Sequence, residues 1–364
     1  MDTKQITKAI DLDYTISSTE EHRQSGDDYE TKSMLYLLEF HKDHNDMFYF
    51  VIDFFNDVSG VDEQCSQIWD LQSKADKDEG AKGIGRKLIT LFKNYISSLN
   101  PFVKSYILFI GGVGSRVRVD KSKNVFTIDN ITDDSKEAII EGLIDEGKST
   151  SYINDKSALN ETTINKFLKK VEIVINDKEP EEYIKLILNH YSSNLVLDNS
   201  RLKTIFNEIR AKQHSKKYDE IPINGITVKQ ISDFKKYERS LSENELRLLI
   251  VQRAITQSNK FEVSDSFPDS FPHELKGENK IERKQILMEC QSDMIKNIFQ
   301  NDKVLFWDLF NNIIQLVKDK EIEDEDVRVI FSKLDEENKN NPSFNELSLI
   351  YFISLIKDCF DYAN

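Results

Sequence analysis

Cysteine is scarce in this chain, and its scarcity argues against two classes of protein. The 364 residues contain only three cysteines, Cys65, Cys290 and Cys359, which are far apart and form no Cys-x-x-Cys pair. An odd number at this spacing argues against a disulfide framework and a structural zinc site, and it fits a reducing compartment. The six histidines form no His-x-His or His-Glu-x-x-His pattern either, so the usual zinc-binding motifs are missing.

Long apolar runs are also missing from the sequence. A membrane-spanning helix needs about 18 successive apolar residues, and a stretch such as Ile107–Val113 is far shorter. The first residues, Met1–Ser18, contain no apolar core of the kind that export signals have. We therefore expect a cytoplasmic protein that has no membrane partner.

Positive charge is in short supply overall but concentrated in one segment. The net charge is −15, which by itself disfavours nucleic-acid binding. Residues 81–124, however, contain nine basic residues and one acidic residue, a net charge of +8. A basic patch on an acidic protein is typical of a focused contact with DNA phosphates, and a solvated helix face is the simpler alternative. The predicted DNA-contacting residues are Lys82, Arg86, Lys87, Lys93, Arg116 and Arg118.

The order of apolar patterns predicts the fold class. Residues up to about 26 are polar, and we expect a flexible arm there. A helical pattern at 29–41 precedes strand-like runs at 47–55 and 67–74, with residues 59–66 as a connector. An amphipathic helix over 84–99 and a buried-type strand over 106–110 follow. We predict an α+β core in which helices flank a mixed sheet.

Composition changes towards the C-terminal half of the chain. After about residue 200 nearly every segment has helical spacing, including 227–237 and the strongly apolar 344–360. A helix that is apolar nearly all round belongs in the centre of a bundle or against another chain, and we favour the second option for 344–360. The predicted domains are residues 1–200, which carry the chemistry, and residues 201–364, a mostly helical region for partner binding, regulation or oligomerisation.

The polar residues that suggest chemistry lie on the strand predicted over Gln67–Lys74. Because side chains alternate between the faces of a strand, Asp70, Gln72 and Lys74 share one face. Asp57 ends the apolar segment before it. A metal-dependent phosphodiesterase needs oxygen ligands for a divalent cation and a positive group for the developing charge.

These requirements assign provisional roles to the polar residues. Asp57 and the side-chain oxygen of Gln72 are the predicted ligands of Mg²⁺ or Mn²⁺, and Lys74 is the predicted positive group. Glu30 or Glu39, on the preceding helix, is predicted to complete the ligand shell. The spacing is short enough to occur by chance, so a strand with a solvated polar face is the alternative.

Five short motifs occur here in the order found in a known nuclease family. They are Tyr29-Glu30, Asn56-Asp57-Val58, the Gln72-x-Lys74 strand, the helix with Asn94-Tyr95, and the strand Tyr106–Phe109. In these motifs the chain resembles the PD-(D/E)xK superfamily, in particular the double-strand DNA endonuclease effectors of bacterial anti-phage systems, the CD-NTase-associated endonuclease domain family. The resemblance covers about the first 200 residues and implies a restriction-endonuclease-like sheet and a metal-dependent endodeoxyribonuclease, with Asp57, Gln72 and Lys74 as catalytic residues.

Two positions depart from the pattern of that family, and the C-terminal half narrows the resemblance. Glu30 stands where glutamine is common, and Asn56 where a second acid is frequent, which leaves the helix-borne ligand open. The helical region after residue 200 is more similar to the nuclease subunit of Lamassu-type systems than to the strand-containing cyclic-nucleotide sensors of CBASS effectors.

The Lamassu-like resemblance implies a set of partners. They are double-stranded DNA, an SMC-like ATPase, a small accessory subunit, and further copies of the chain in an active oligomer. Two alternatives stay open: a nuclease activated by cyclic nucleotides, and a non-catalytic adaptor that binds DNA.

Overall fold

The computed structural model describes residues 12–16, 24–151, 153–176, 178–191, 197–217, 223–256, 266–299, 303–318, 326–340 and 344–361. The chain forms two compact units, Met1–Tyr183 with Asn207–Glu243, and Ile184–Phe206 with Asn244–Asn364. The expected boundary at residue 200 thus differs from the observed division, because residues 207–243 return to the first unit. No helix within the described ranges is long and apolar enough to cross a membrane.

A mixed seven-stranded sheet forms the centre of the first unit, in the order β6-β7-β5-β4-β3-β2-β9. Neighbours from β9 to β4 are antiparallel, β4, β5 and β7 are parallel, and β6 is antiparallel to β7. The predicted α+β class is confirmed by this sheet and its flanking helices. The strands are β2 (Tyr49–Ile52), β3 (Val58–Val61), β4 (Ile68–Lys74), β5 (Val103–Ile110), β6 (Val125–Thr127), β7 (Val171–Ile175) and β9 (Ser240–Ser242), and a separate pair joins β1 (Tyr14–Thr15) to β8 (Thr227–Val228).

Central position explains the apolar character of β5. It lies between β4 and β7, and every residue of β5 except Lys104 is buried. A parallel strand that is covered on both faces reads as an almost continuous apolar run. Strand β4 is equally buried up to Ser73 but contains Asp70 and Gln72, so its polar side chains must find partners inside the protein.

Helices cover both faces of the sheet. The helices of the first unit are α1 (Gln24–Glu39), α2 (Ala81–Lys87), α3 (Ile89–Tyr95), α4 (Asp133–Ser149) and α5 (Glu161–Leu168), while α6 (Pro180–Tyr191) and α7 (Asn199–Lys217) extend across the boundary between the units. The single helix predicted over 84–99 is instead two short helices that meet at Leu88. α2 packs closely on α4, since a β-carbon on Gly85 would lie 2.0 Å from the carbonyl oxygen of Ile139.

Three further local predictions are wrong. The connector predicted at 59–66 contains most of β3. The first 26 residues are not simply a polar arm, because Leu12, Tyr14 and Ile16 are buried and β1 pairs with β8; residues 1–11 and 17–23 lie outside the described residues.

The helix predicted at 227–237 is the third error. This segment is the short strand β8 followed by a 3-10 helix, Ile231–Tyr237. The Asp233 carboxylate accepts hydrogen bonds from the backbone N–H groups of Lys229 and Gln230, which fixes the helix start after the strand.

The second unit is helical, and one helix forms its centre. α13 (Glu346–Asp361) packs on α9 (Lys280–Phe299), α10 (Lys303–Lys318) and α11 (Val327–Lys333). Its apolar residues from Leu349 to Ile356 are at most 3 % exposed, so the preference for burial against another chain is corrected: helices of the same unit cover it. Two other helices, α8 (Glu243–Thr256) and α12 (Glu336–Lys339), complete the described part of this half of the chain.

Candidate active site

Strand register brings Asp57 to Gln72. Val58 of β3 pairs with Leu71 of β4 in an antiparallel ladder, so the residue before Val58 lies beside the residue after Leu71. The Gln72 Nε2 donates a hydrogen bond of 2.6 Å to the Asp57 Oδ2. The backbone N–H of Ser73 and its hydroxyl donate to the same oxygen, at 2.8 Å and 3.1 Å. The predicted pair therefore forms a direct contact, and Ser73 adds two hydrogen bonds to it.

The inner face of β4 is held by α3. The Thr90 hydroxyl hydrogen-bonds the Gln72 Oε1, and the Asn94 Nδ2 donates to the Asp70 Oδ2 at 2.8 Å. Thr90 and Asn94 are four residues apart, which places both on one face of a helix. The alternation predicted for β4 is thus observed for Asp70 and Gln72, which share this face, and it puts Lys74 on the same side at the strand end.

A chain of hydrogen bonds continues from Asp70 to the N-terminal segment. Asn94 is buried, its Nδ2 also donates to the Phe55 carbonyl oxygen at 3.0 Å, and its Oδ1 accepts from the Tyr14 hydroxyl at 2.9 Å. Strand β1 thereby fixes the orientation of the Asn94 amide. This network holds β4 in place on the face that carries Asp70 and Gln72.

Burial dominates the titration of Asp70. The side chain is 0 % exposed, and desolvation raises the pKa of Asp70 from 3.8 to about 7, against the hydrogen bond from Asn94, which lowers it. Desolvation also lowers the pKa of Lys93 to about 8, and the Asp70 carboxylate opposes that shift. The ring of Tyr14 lies 5.3 Å from the Lys93 ammonium.

We expect Asp70 to make stability depend on pH. Because its pKa is raised in the folded state, protonation favours folding, and the free energy of unfolding falls as pH rises from about 4 to about 7, by up to about 4 kcal/mol. Asp70→Asn removes this dependence, so the variant gains stability over the wild type with rising pH and levels off above about 7. Urea denaturation between pH 5 and 8 measures the difference, and parallel curves for the two proteins would refute it.

Lys74 lies at the exit of β4. It is the last residue of the strand and is half-buried, while Gln72 is 0 % exposed. Its carbonyl oxygen accepts a hydrogen bond of 3.0 Å from the Gly111 N–H, which ties this end of β4 to the end of β5. A cationic side chain that is partly accessible at a strand end can reach a bound phosphate, whereas the side chain of Gln72 is buried inside the protein.

Helix α1 places its two acidic candidates at opposite ends of β4. A β-carbon on Gly111 would lie 2.8 Å from both the Tyr29 hydroxyl and the Ala75 carbonyl oxygen, so the start of α1 is close to the end of β4. Glu30 is therefore at the Lys74 end. Glu39 is nine residues later, about 13 Å along the helix axis, and one cation cannot hold both. This arrangement favours Glu30.

The Glu30 carboxylate has a buried partner that the sequence did not suggest. It forms an ion pair with Lys217, near the end of α7, and both residues are 8 % exposed. Next to it, the Thr31 hydroxyl donates to the Gln213 Oε1 at 2.7 Å. The returning segment of the first unit thus fixes the position of this part of α1.

The donor set fits a hard divalent cation such as Mg²⁺. No cluster of three His, Cys, Asp or Glu side chains suited to a metal occurs among the described residues. Mg²⁺ is instead held by one or two carboxylates together with water and substrate phosphates. Asp57 supplies a carboxylate, and Gln72 supplies an amide whose oxygen or nitrogen can face Asp57, since the Thr90 hydroxyl can accept as well as donate.

The predicted DNA contacts divide into paired and exposed residues. Lys82 pairs with Glu141 and Asp145, and Lys87 with Asp76 and Glu79, at N–O distances of 2.6–3.1 Å. Lys93 is half-buried under Tyr14. The side chains of Arg86 and Arg116 are exposed, and Arg118 is turned towards its own loop.

Sequence reasoning missed four residues of the site: Ser73, Thr90, Tyr14 and Lys217. Thr90 and Asn94 could have been found as polar residues four apart within the apolar pattern of residues 84–99. Tyr14 and Lys217 carry no local signal, because they reach the site through tertiary folding. No protein-family model, curated protein or solved structure matches the chain.

Proposed function

We propose that the chain is a metal-dependent endonuclease that hydrolyses phosphodiester bonds of duplex DNA. The observation that carries the proposal is the direct contact of Asp57 with Gln72, with Lys74 next on the same face of β4. An acidic ligand, an amide ligand and a cation are the groups that phosphodiester hydrolysis requires, and here the β3–β4 register aligns them. The motif resemblance and the mixed sheet support a restriction-endonuclease-like core.

Each residue has a role in this proposal. Asp57 and Gln72 hold Mg²⁺ or Mn²⁺, and Glu30, on the part of α1 near the Lys74 end of β4, is the proposed helix-borne carboxylate. A cation held there would polarise the phosphate and lower the pKa of the attacking water. Lys74 stabilises the negative charge that develops on the phosphate oxygens. Ser73 and Thr90 orient Asp57 and Gln72, and Asn94 supports the strand behind them.

The burial of the site supports regulated activity. Gln72 is fully buried and Asp57 is 8 % exposed, so a DNA phosphate reaches the pair only after a local rearrangement. We propose an effector of the Lamassu type in the bacterial cytoplasm, in which an SMC-like ATPase and a small accessory subunit hold the nuclease inactive until it is released and oligomerises. The second unit, whose described residues form helices and no strand, supports this type over a cyclic-nucleotide sensor.

Cleavage of linear and supercoiled duplex DNA tests the activity, with Mg²⁺ and with EDTA, for the chain alone and for the complex co-purified from its operon. Cutting that requires the metal supports the proposal. A thermal shift on adding cyclic oligonucleotides would favour the cyclic-nucleotide alternative. DNA binding without cutting in both preparations would favour the adaptor.

Gln72→Glu tests whether Asp57 and Gln72 hold a cation. The change places a second carboxylate within hydrogen-bond distance of Asp57, and like charges at this distance disfavour the fold unless a cation lies between them. We expect a melting temperature several degrees below the wild type in EDTA, recovered on adding Mg²⁺ or Mn²⁺. Gln72→Leu is the control that has no such recovery. Equal melting of Gln72→Glu with and without metal would contradict the proposed ligand pair.

A further inference from the structure

The segment Gly114–Asn124, here called the basic finger, leaves the sheet beside the candidate site. Gly111 N–H donates to the Lys74 carbonyl oxygen, and the strand extension after Lys74 pairs with the start of the segment: Glu79 N–H donates to Gly112 at 3.1 Å, and Gly114 N–H to Glu79 at 2.9 Å. The finger therefore begins close to the end of β4, where Lys74 lies. Its position relative to the site is set by backbone hydrogen bonds.

The basic finger has a fixed internal structure. Asn130 accepts from the Asp120 N–H through its Oδ1 at 2.8 Å and donates through its Nδ2 to the Asp120 carbonyl oxygen at 2.9 Å. The Val119 N–H donates to the Asn130 carbonyl oxygen at 2.9 Å. The Asp120 carboxylate accepts from the Ser122 N–H and hydroxyl. A short loop held by this many bonds presents its tip in a defined conformation, which lowers the entropy cost of binding.

Arg118 is part of this internal structure. Its guanidinium donates to the carbonyl oxygens of Lys121 and Lys123 at 3.1 Å and 3.0 Å, and it lies over the ring of Phe126 at 5.8 Å. A guanidinium committed to two carbonyls and a ring is a poor phosphate ligand, because binding would break these contacts. Arg118 thus stabilises the loop from within, and other residues of the finger are better placed for phosphate contacts.

The exposed residues of the basic finger include three cations and one apolar side chain, besides Ser115 and Ser122. Arg116, Lys121 and Lys123 are exposed. Val119 is 67 % exposed, between the arginine and the two lysines in sequence. A rigid loop that exposes an isolated valine among cations suits the minor groove of duplex DNA, where phosphates line both edges and apolar side chains of proteins insert between base steps.

We propose that the basic finger is a DNA-contacting element, in which Arg116, Lys121 and Lys123 bind phosphates and Val119 enters the minor groove. The inference rests on the proposed function only in taking duplex DNA as the ligand. Charge complementarity favours nucleic acid over a protein partner, since the finger has a net charge of +3 on a chain of −15. The finger would hold the duplex against the end of β4 that carries Lys74.

The test is equilibrium binding of the full chain to a fluorescent 30-base-pair duplex in EDTA at several salt concentrations. Replacing Arg116, Lys121 and Lys123 by alanine should weaken binding about tenfold or more and reduce the salt slope by about 2 to 3, because each phosphate contact contributes about 0.9 to that slope. Val119→Thr keeps the side-chain shape but replaces a methyl group with a hydroxyl. It should weaken binding about threefold with the slope unchanged.

A matched control removes the same charge elsewhere. Lys148 on α4, Lys166 on α5 and Lys169 just after α5 are all exposed. Their joint replacement by alanine should leave the salt slope within about 0.5 of the wild-type value. Equal slopes for the finger variant and the control would overturn the inference, as would absence of wild-type binding at low salt. The cutting assay on the chain alone and on its complex separates the two proposals: finger-dependent binding without cutting in either preparation would retain the finger and reject the nuclease.

Discussion

Lys74→Ala nearly abolishes DNA cutting. We expect a rate about 10²-fold to 10³-fold below that of the wild type, which is the usual effect of losing one charge-stabilising group. Lys74 is the only residue of β4 that is both cationic and half-exposed. In the proposed mechanism its ammonium stabilises the negative charge that develops on the phosphate oxygens, and alanine has no charged group to do so. The measurement is the initial rate of supercoiled plasmid cleavage in excess Mg²⁺.

Two comparisons make the Lys74→Ala result specific. Lys77→Ala removes the same charge three residues later, from an exposed position beyond the strand, and should cut at the wild-type rate. The free energy of unfolding of Lys74→Ala should stay within about 1 kcal/mol of the wild type, as for most partly exposed positions. Wild-type cutting by Lys74→Ala would place the active site elsewhere.

Asp57→Asn raises the metal requirement for cutting. The neutral amide can still accept the hydrogen bonds from Ser73, but it lacks the charge that attracts a divalent cation. We expect the Mg²⁺ concentration for half-maximal cutting to rise at least about tenfold, the lower end of the range for changes around metal ligands. The rate should also fall at saturating metal. A titration of cutting rate against Mg²⁺, with and without the substitution, measures both effects.

Metal binding without catalysis gives a second readout for Asp57. Paramagnetic detection of free Mn²⁺ counts bound ions in the absence of DNA, and the wild type should bind more tightly than Asp57→Asn. Asp134→Asn, an exposed carboxylate on α4, is the matched control and should bind as the wild type does. Superimposable titrations of Asp57→Asn and the wild type would remove Asp57 from the ligand shell.

The contact between Asp57 and Gln72 was predictable because it depends on local rules. Side-chain alternation places Gln72 on a known face of β4, and an antiparallel neighbour brings Asp57 beside it. The partners Thr90 and Tyr14 were not predictable in the same way. The position of Thr90 depends on where α2 ends, next to Leu88. Tyr14 reaches the site through the pairing of β1 with β8, in which its register partner Val228 lies 214 residues later in the sequence.

The charge pattern identified a basic segment, but it did not indicate which of its side chains form ion pairs and which are exposed. The segment from residue 81 to 124 is basic in sequence, but Lys82 and Lys87 are paired with carboxylates from α4 and from the loop after β4. Those acids lie outside the segment, so its net charge overstated the exposed charge. Arg116, in the basic finger, is exposed.

The apolar C-terminal helix shows the same limit at the level of packing. The pattern of α13 requires burial on all sides, and this was correct. The sequence does not say which surface provides the burial, because that depends on how α9, α10 and α11 are arranged around it. Periodicity therefore predicts that a face is covered and leaves its cover to the tertiary structure.

Metal-dependent hydrolysis at the Asp57–Gln72–Lys74 site is tested most directly by one assay. Purified wild-type chain, alone and in the complex from its operon, is incubated with supercoiled plasmid over a range of protein concentrations in Mg²⁺, and each reaction is repeated with EDTA. We predict nicked and linear products that increase with protein concentration in Mg²⁺ and do not form in EDTA. Intact plasmid at every concentration in both preparations, or cutting that persists in EDTA, would contradict it.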